Sequence, residues 1–114
     1  MKVSKIIDQC RLEEIVFCTD CEVETGYCGD LMSDVMAHAE ADCIWITIQA
    51  HKNSIAVALI KDIKSIIFTN NVVVEKEVIE KAKEEKINLL RTNKNSFTVS
   101  GEIYCMMEAE TGKD

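Results

Sequence analysis

Proline is absent from this chain of 114 residues, and glycine occurs four times. Aromatic residues make up 5%. A Pro- or Gly-rich linker is therefore excluded, and no internal repeat divides the chain, so one domain is expected over 1–114. The longest apolar run, Ile55 to Ile60, is far shorter than the roughly 20 residues that span a membrane. The start, Met-Lys-Val-Ser-Lys, lacks the apolar segment of an export signal. A cytoplasmic protein with reduced thiols and no membrane contact is expected. Basic residues are few, 13 against 20 acids for a net charge of −7, which argues against nucleic acid as a partner.

What is present is an apolar fraction of 47%, too high for disorder and sufficient for a core. The charge is uneven. Residues 1–42 hold three basic residues against ten acids, a net −7, and residues 43–114 hold ten of each. The acidic third reads as a solvated face or as a docking surface for a basic partner.

Apolar spacing predicts helices over 2–10 and 30–39, the second capped by Asp30. On it Leu31, Met32, Val35, Met36 and Ala39 share one arc, and Ser33, Asp34, Ala37 and His38 the other. Leu12 to Phe17 predicts a strand. Residues 18–29 read as a loop with a short strand near Glu22 to Glu24. Cys43 to Gln49 reads as a buried strand. Asn53 or Ser54 is expected to cap a helix to about Ile63, although Ile55 to Ile60 also suits a strand. Ile66 to Thr69 predicts a strand, Glu75 to Glu85 a helix, Ile87 to Leu90 a strand, and Ser96 caps a last helix carrying Phe97, Ile103, Met106 and Met107. The core is expected to span about 2–107, with a flexible tail over 108–114. From residue 43 the order is β-α-β-α-β-α, which predicts an α/β fold with a mainly parallel sheet.

Ligands in such sheets bind beyond the carboxyl ends of the strands. The candidate ligand residues are therefore Gln49, His51 and Asn53, then Thr69 and Asn70, then Arg91 to Ser96. Gly26-Tyr27-Cys28-Gly29-Asp30 precedes a helix and reads as a glycine turn that lets a ligand approach the backbone. It is neither a P-loop nor a dinucleotide fingerprint, and the nearby acids repel phosphate. Cys18-x2-Cys21 with Cys28 and Cys10 is the candidate metal or iron–sulfur set, although the spacing matches no standard pattern. Cys43 and Cys105 read as core. His51 has no nucleophile to pair with, so no catalytic residue is assigned. The Met pairs 32/36 and 106/107 read as core or as a subunit interface.

The segment Gly26 to Ala37 resembles the DRTGG domain family. So do Ile44 to His51, the spacing to Ile66 to Thr69, and Ile87 to Thr92. The likeness covers about residues 2–107. It implies a three-layer α/β/α sandwich like the N-terminal domain of HPr kinase/phosphorylase. Related domains sit in phosphotransacetylases and, beside CBS domains, in pyrophosphatases, as regulatory or assembly modules. Stand-alone members tend to be encoded near iron-hydrogenase subunits, which implies a link to redox or central metabolism. Asp20 falls on the motif's Asp and Gly26 on its last Gly. Cys21, Glu24 and Thr25 stand where Arg, Thr and the first Gly are expected. Asn70-Asn71 stands where the family has Gly-Gly. The expected function is a non-catalytic regulatory or interaction module, homodimeric. The alternatives are a sensor for a nucleotide or phosphorylated metabolite, with no other cofactor implied, and metal binding through Cys18, Cys21 and Cys28.

Overall fold

The computed structural model describes residues 1–111. The elements are α1 (Val3–Cys10), β1 (Glu13–Val16), β2 (Thr25–Cys28), α2 (Met32–His38), β3 (Cys43–Thr47), α3 (Lys52–Lys61), β4 (Ser65–Phe68), α4 (Lys76–Glu85), β5 (Asn88–Arg91) and α5 (Ser96–Thr111). The strands form one sheet in the order β1-β5-β4-β3-β2. Four strands are parallel and β1 alone is antiparallel, paired with β5.

Alternation along the central strands divides the core in two. Cys43, Trp45, Ile66, Phe68 and Leu89 face one side, where Val35, Ile55, Ala58, Val78 and Ala82 cover them from α2, α3 and α4. Ile44, Ile46, Ile67 and Leu90 face the other side, under Val3, Ile6, Ile7 and Cys10 of α1 and Val99 and Ile103 of α5. The chain is thus a three-layer α/β/α sandwich, as expected. β3 and β4 are buried throughout because both faces are covered, and their sequences are correspondingly apolar.

Asn88 fixes the loop that precedes β2. It is 1% exposed, and its Oδ1 accepts from the Cys18 and Thr19 amides at 2.7 and 3.2 Å. Its Nδ2 donates to the Thr19 carbonyl at 2.8 Å and to the Ser65 hydroxyl at 3.0 Å. A single buried amide thereby satisfies backbone groups that would otherwise be stranded.

Several expectations change. The strand expected near Glu22 to Glu24 lies at Thr25–Cys28 instead, with only an isolated bridge between Lys2 and Glu22. The glycine turn is therefore a strand and its exit, and neither Gly26 nor Gly29 takes a positive φ. The physical reason is register: Tyr27 pairs with Trp45 and Cys28 with Ile46, so the segment completes the sheet. At Gly29 the need for glycine is space. A Cβ there would lie 3.2 Å from the Tyr27 ring and 3.3 Å from the Asp34 carboxylate.

Asp30 does not cap α2. Leu31 is the cap residue, without a side-chain bond, because the Asp30 carboxylate turns to β3. His51 caps α3, its Nδ1 accepting from the Asn53 amide at 3.0 Å, where Asn53 or Ser54 was expected. Asn95 supplies the corresponding bond in α5, accepting from the Thr98 amide at 2.9 Å, and Ser96 bonds Thr69 instead. Cys105 is exposed, not core, because the outward face of α5 carries it. Residues 108–111, expected in a tail, continue α5, and Lys5 pairs with Glu110 there at 2.8 Å. The rest of that expected tail, 112–114, lies outside the described residues.

Scarce glycine has a visible consequence. α1, α3 and α4 each end on a non-glycine residue in the left-handed region: Arg11 at φ 56°, Asp62 at 60° and Lys86 at 60°. Asn70 and Asn71 also take positive φ, 60° and 52°. Asparagine tolerates this region better than most residues. The Asn-Asn pair therefore keeps the conformation that Gly-Gly would supply.

Candidate functional site

The carboxyl ends of β2, β3, β4 and β5 form a polar rim, where the sequence placed most of the candidate ligand residues. Part of it is tied together by hydrogen bonds. The Asp30 carboxylate accepts from the Thr47 hydroxyl at 2.8 Å and from the Ile48 amide at 3.0 Å. The Thr47 hydroxyl in turn accepts from the Gln49 amide at 3.1 Å. The Ser54 hydroxyl donates to the Gln49 carbonyl. Thr69 and Ser96 share a hydrogen bond of 3.0 Å. The Asn70 and Asn71 amides donate to the Lys94 and Thr92 carbonyls at 2.9 and 2.8 Å.

The cations near the rim are engaged as well. Arg91 grips Glu13 through Nε at 2.9 Å and donates to the Val72 carbonyl at 3.2 Å. Lys94 meets both Glu102 oxygens, at 2.8 and 3.0 Å, and the Cys10 carbonyl at 3.1 Å. A phosphate arriving here would have to displace a carboxylate from each. The structure thus brings Asp30, Gln49, His51, Asn53, Thr69 and Asn70 to one end of the sheet; the Asp30, His51 and Thr69 side chains are bonded there, and those of Gln49, Asn53 and Asn70 are exposed.

Two hollows lie away from this rim. A groove of about 400 Å³ runs between β2 and α5. Ile46, Ile103, Met107 and Tyr104 give it apolar walls, and Gly26 and Cys28 form its β2 side. The carboxylate residues Glu24 and Glu108 line it, and among the described residues no Lys or Arg does. Ser100 lines it too, its hydroxyl buried and without a hydrogen-bond partner among the described residues. A smaller hollow of about 120 Å³ on the opposite face of β2 touches Tyr27, His38 and Glu40. Neither space is lined by Gln49, His51, Asn53, Thr69 or Asn70.

Beside the smaller hollow, Asp34 joins two residues. The Tyr27 hydroxyl donates to its Oδ2 at 2.5 Å, and His38 Nδ1 lies 3.0 Å from its Oδ1. These bonds hold the Asp34 carboxyl below its ordinary pKa, the Tyr27 bond most, and push the Tyr27 hydroxyl up.

The cysteines are dispersed. Cys18, Cys28 and Cys105 are exposed, Cys21 is half-buried with its sulfur 3.3 Å from the Ser65 hydroxyl, and Cys10 and Cys43 are buried. Among the described residues no group of three or more His, Cys, Asp or Glu is placed to hold a metal ion, so Cys18, Cys21 and Cys28 do not assemble into the set weighed from their spacing. Asn88 explains why: it holds the Cys18–Cys21 loop at the amino end of β5, and Cys28 sits at the carboxyl end of β2. Burial pushes the Cys10 and Cys43 thiols up to about 11, which keeps them protonated.

A mainly parallel sheet thus lies between two helical layers, with a polar rim at the strand ends and a groove along one edge strand. The DRTGG domain model matches residues 22–106, and the chain belongs to the DRTGG domain family. It is also similar to a solved structure, the CBS and DRTGG domains of the regulatory region of Clostridium perfringens pyrophosphatase, complexed with the activator diadenosine tetraphosphate. The TM-score is 0.69 at 21% identity, with 87% of this chain and 44% of that one covered, so the likeness is one of fold over less than half of the neighbour. No curated protein matches the chain. Among the described residues no helix is long and apolar enough to cross a membrane.

Proposed function

We propose that this chain is a non-catalytic regulatory module that acts by binding polypeptides and that it does so as a homodimer. One observation carries the reading: large apolar side chains stand on the solvent faces of both helical layers. On α3, Ile60 is 69% exposed and Leu59 41%. On α5, Phe97 is 87% exposed and Tyr104 66%. Apolar surface of this kind marks interaction sites. Membership of the DRTGG family, and the place of a similar fold in a regulatory region, support the regulatory part.

The α3 face suits a second copy. Residues 43–114 are charge-balanced, so two copies meeting there bring no net repulsion, whereas the acidic first third would repel itself. Sedimentation equilibrium of the chain and of Ile60→Glu tests this. The expected result is a dimer that the substitution turns into a monomer. A monomeric parent chain would sink the homodimer.

A second reading is a small-ligand sensor. The groove volume favours it, since about 300–1,000 Å³ is usual for ligand sites. The two lining carboxylates disfavour a nucleotide or phosphorylated metabolite there and favour a neutral or cationic ligand. A melting-temperature screen with ATP and with amines checks it, because a ligand of the native state must raise the transition.

A further inference from the structure

The two edges of the sheet are guarded differently. β1 carries Glu13 and Glu14, its register slips between Glu14 and Val16, and Arg91 braces Glu13. Charge and irregular pairing of this kind protect an edge from added strands. β2, Thr-Gly-Tyr-Cys, has no charge, no proline and no recorded irregularity, and its outer side has no neighbouring strand. The groove along α5 opens beside it.

We infer that β2 and α5 together dock an extended apolar segment bearing Lys or Arg from another protein, which joins the sheet as a strand alongside β2. This rests on the reading of the chain as an interaction module. Backbone hydrogen bonds to the β2 edge supply the attachment, and alternate side chains of the segment enter the groove. Met107 and Tyr104, above the buried Ile46 and Ile103, receive the apolar ones.

Charge selects the occupant. Glu24 and Glu108 line the groove, and neither is in an ion pair among the described residues. The residues next to the β2–β3 entry, Glu40 and Asp42, are acidic too. A second copy would set these acids against themselves, and a phosphate would meet two carboxylates with no Lys or Arg among the described lining residues. A basic segment neutralises them.

Gly26 provides the test. A Cβ there would meet only Ile44, at 3.8 Å, which is ordinary contact. A long side chain at this position leaves the fold intact and fills the groove. The experiment titrates the chain into a fluorescein-labelled peptide of alternating valine and lysine, with alternating valine and glutamate as control, and reads anisotropy. The expected result is binding of the lysine peptide alone, weakened about tenfold by the pair Glu24→Gln and Glu108→Gln. Gly26→Leu abolishes binding at an unchanged melting temperature. Tyr104→Lys, at an exposed position, does the same by repulsion and replaces Gly26→Leu if that variant does not fold. Equal binding of the two peptides, binding of neither, or undiminished binding by these variants overturns the proposal. So does a dimer that Gly26→Leu dissociates, since the occupant would then be a second copy. A peptide-binding monomer keeps this inference and removes the homodimer, and a dimer that binds no peptide does the reverse.

Discussion

At the carboxyl ends of the strands, Asp30, Thr47, Thr69 and Ser96 find their hydrogen-bond partners in one another. Along β2 and α5, by contrast, apolar walls face an open groove and the Ser100 hydroxyl has no partner among the described residues. Both regions are rich in residues that can touch a ligand. The difference is whether those groups are already bonded. A buried polar group with a partner contributes to stability, and asking it to leave for a ligand costs that contribution. An apolar wall in contact with water gains by being covered. Polarity alone is thus a poor guide to a site, and unmet bonding capacity is a better one.

This contrast can be broken from either side. The largest expected effect is at the rim. Asp30→Ala leaves the fully buried Thr47 hydroxyl without its acceptor, and a loss of about 1–3 kcal/mol is expected in urea unfolding. Thr69→Val removes the bond to Ser96 and should cost about 1 kcal/mol by the same measurement. At the groove, Tyr104→Ala is expected to change stability by less than about 0.5 kcal/mol, since the side chain is mostly exposed. If Tyr104→Ala destabilises as much as Asp30→Ala, the contrast fails.

Much of the architecture was legible in the sequence because the signals are local. The apolar run Cys-Ile-Trp-Ile-Thr marks β3, and Val78, Ile79 and Ala82 mark the inner stripe of α4. β2 was not legible, since four residues with a central glycine become a strand only by pairing with β3. The sequence placed polar residues at the strand ends, yet which of their side chains bond each other is a tertiary fact. The groove joins Gly26 and Cys28 to Ser100, Tyr104 and Met107 from the far end of the chain, which no local pattern reveals. Its one sequence signal was the run of acids in the first third.

Two finer predictions sharpen the picture of how these regions are held. Lys86→Gly relieves a left-handed residue at the end of α4 and should stabilise the chain by up to about 1 kcal/mol in thermal unfolding. Asp34, at the α2 side of β2, has its pKa lowered by folding. Its contribution is complete above the unfolded carboxyl pKa of about 4 and is lost as pH falls through the lower folded value. Urea midpoints compared at neutral and acid pH should fall less in Asp34→Asn than in the parent chain.

The β2–α5 groove, not the strand-end rim, is the proposed binding surface. Amide chemical-shift mapping tests it most directly, with the valine–lysine peptide and ATP added in turn. Shifts from the peptide are expected at Gly26, Cys28, Ser100 and Tyr104, and none from ATP at Gln49, Asn53 or Asn70. Shifts from ATP clustered at the rim, with β2 and α5 silent to the peptide, would contradict it.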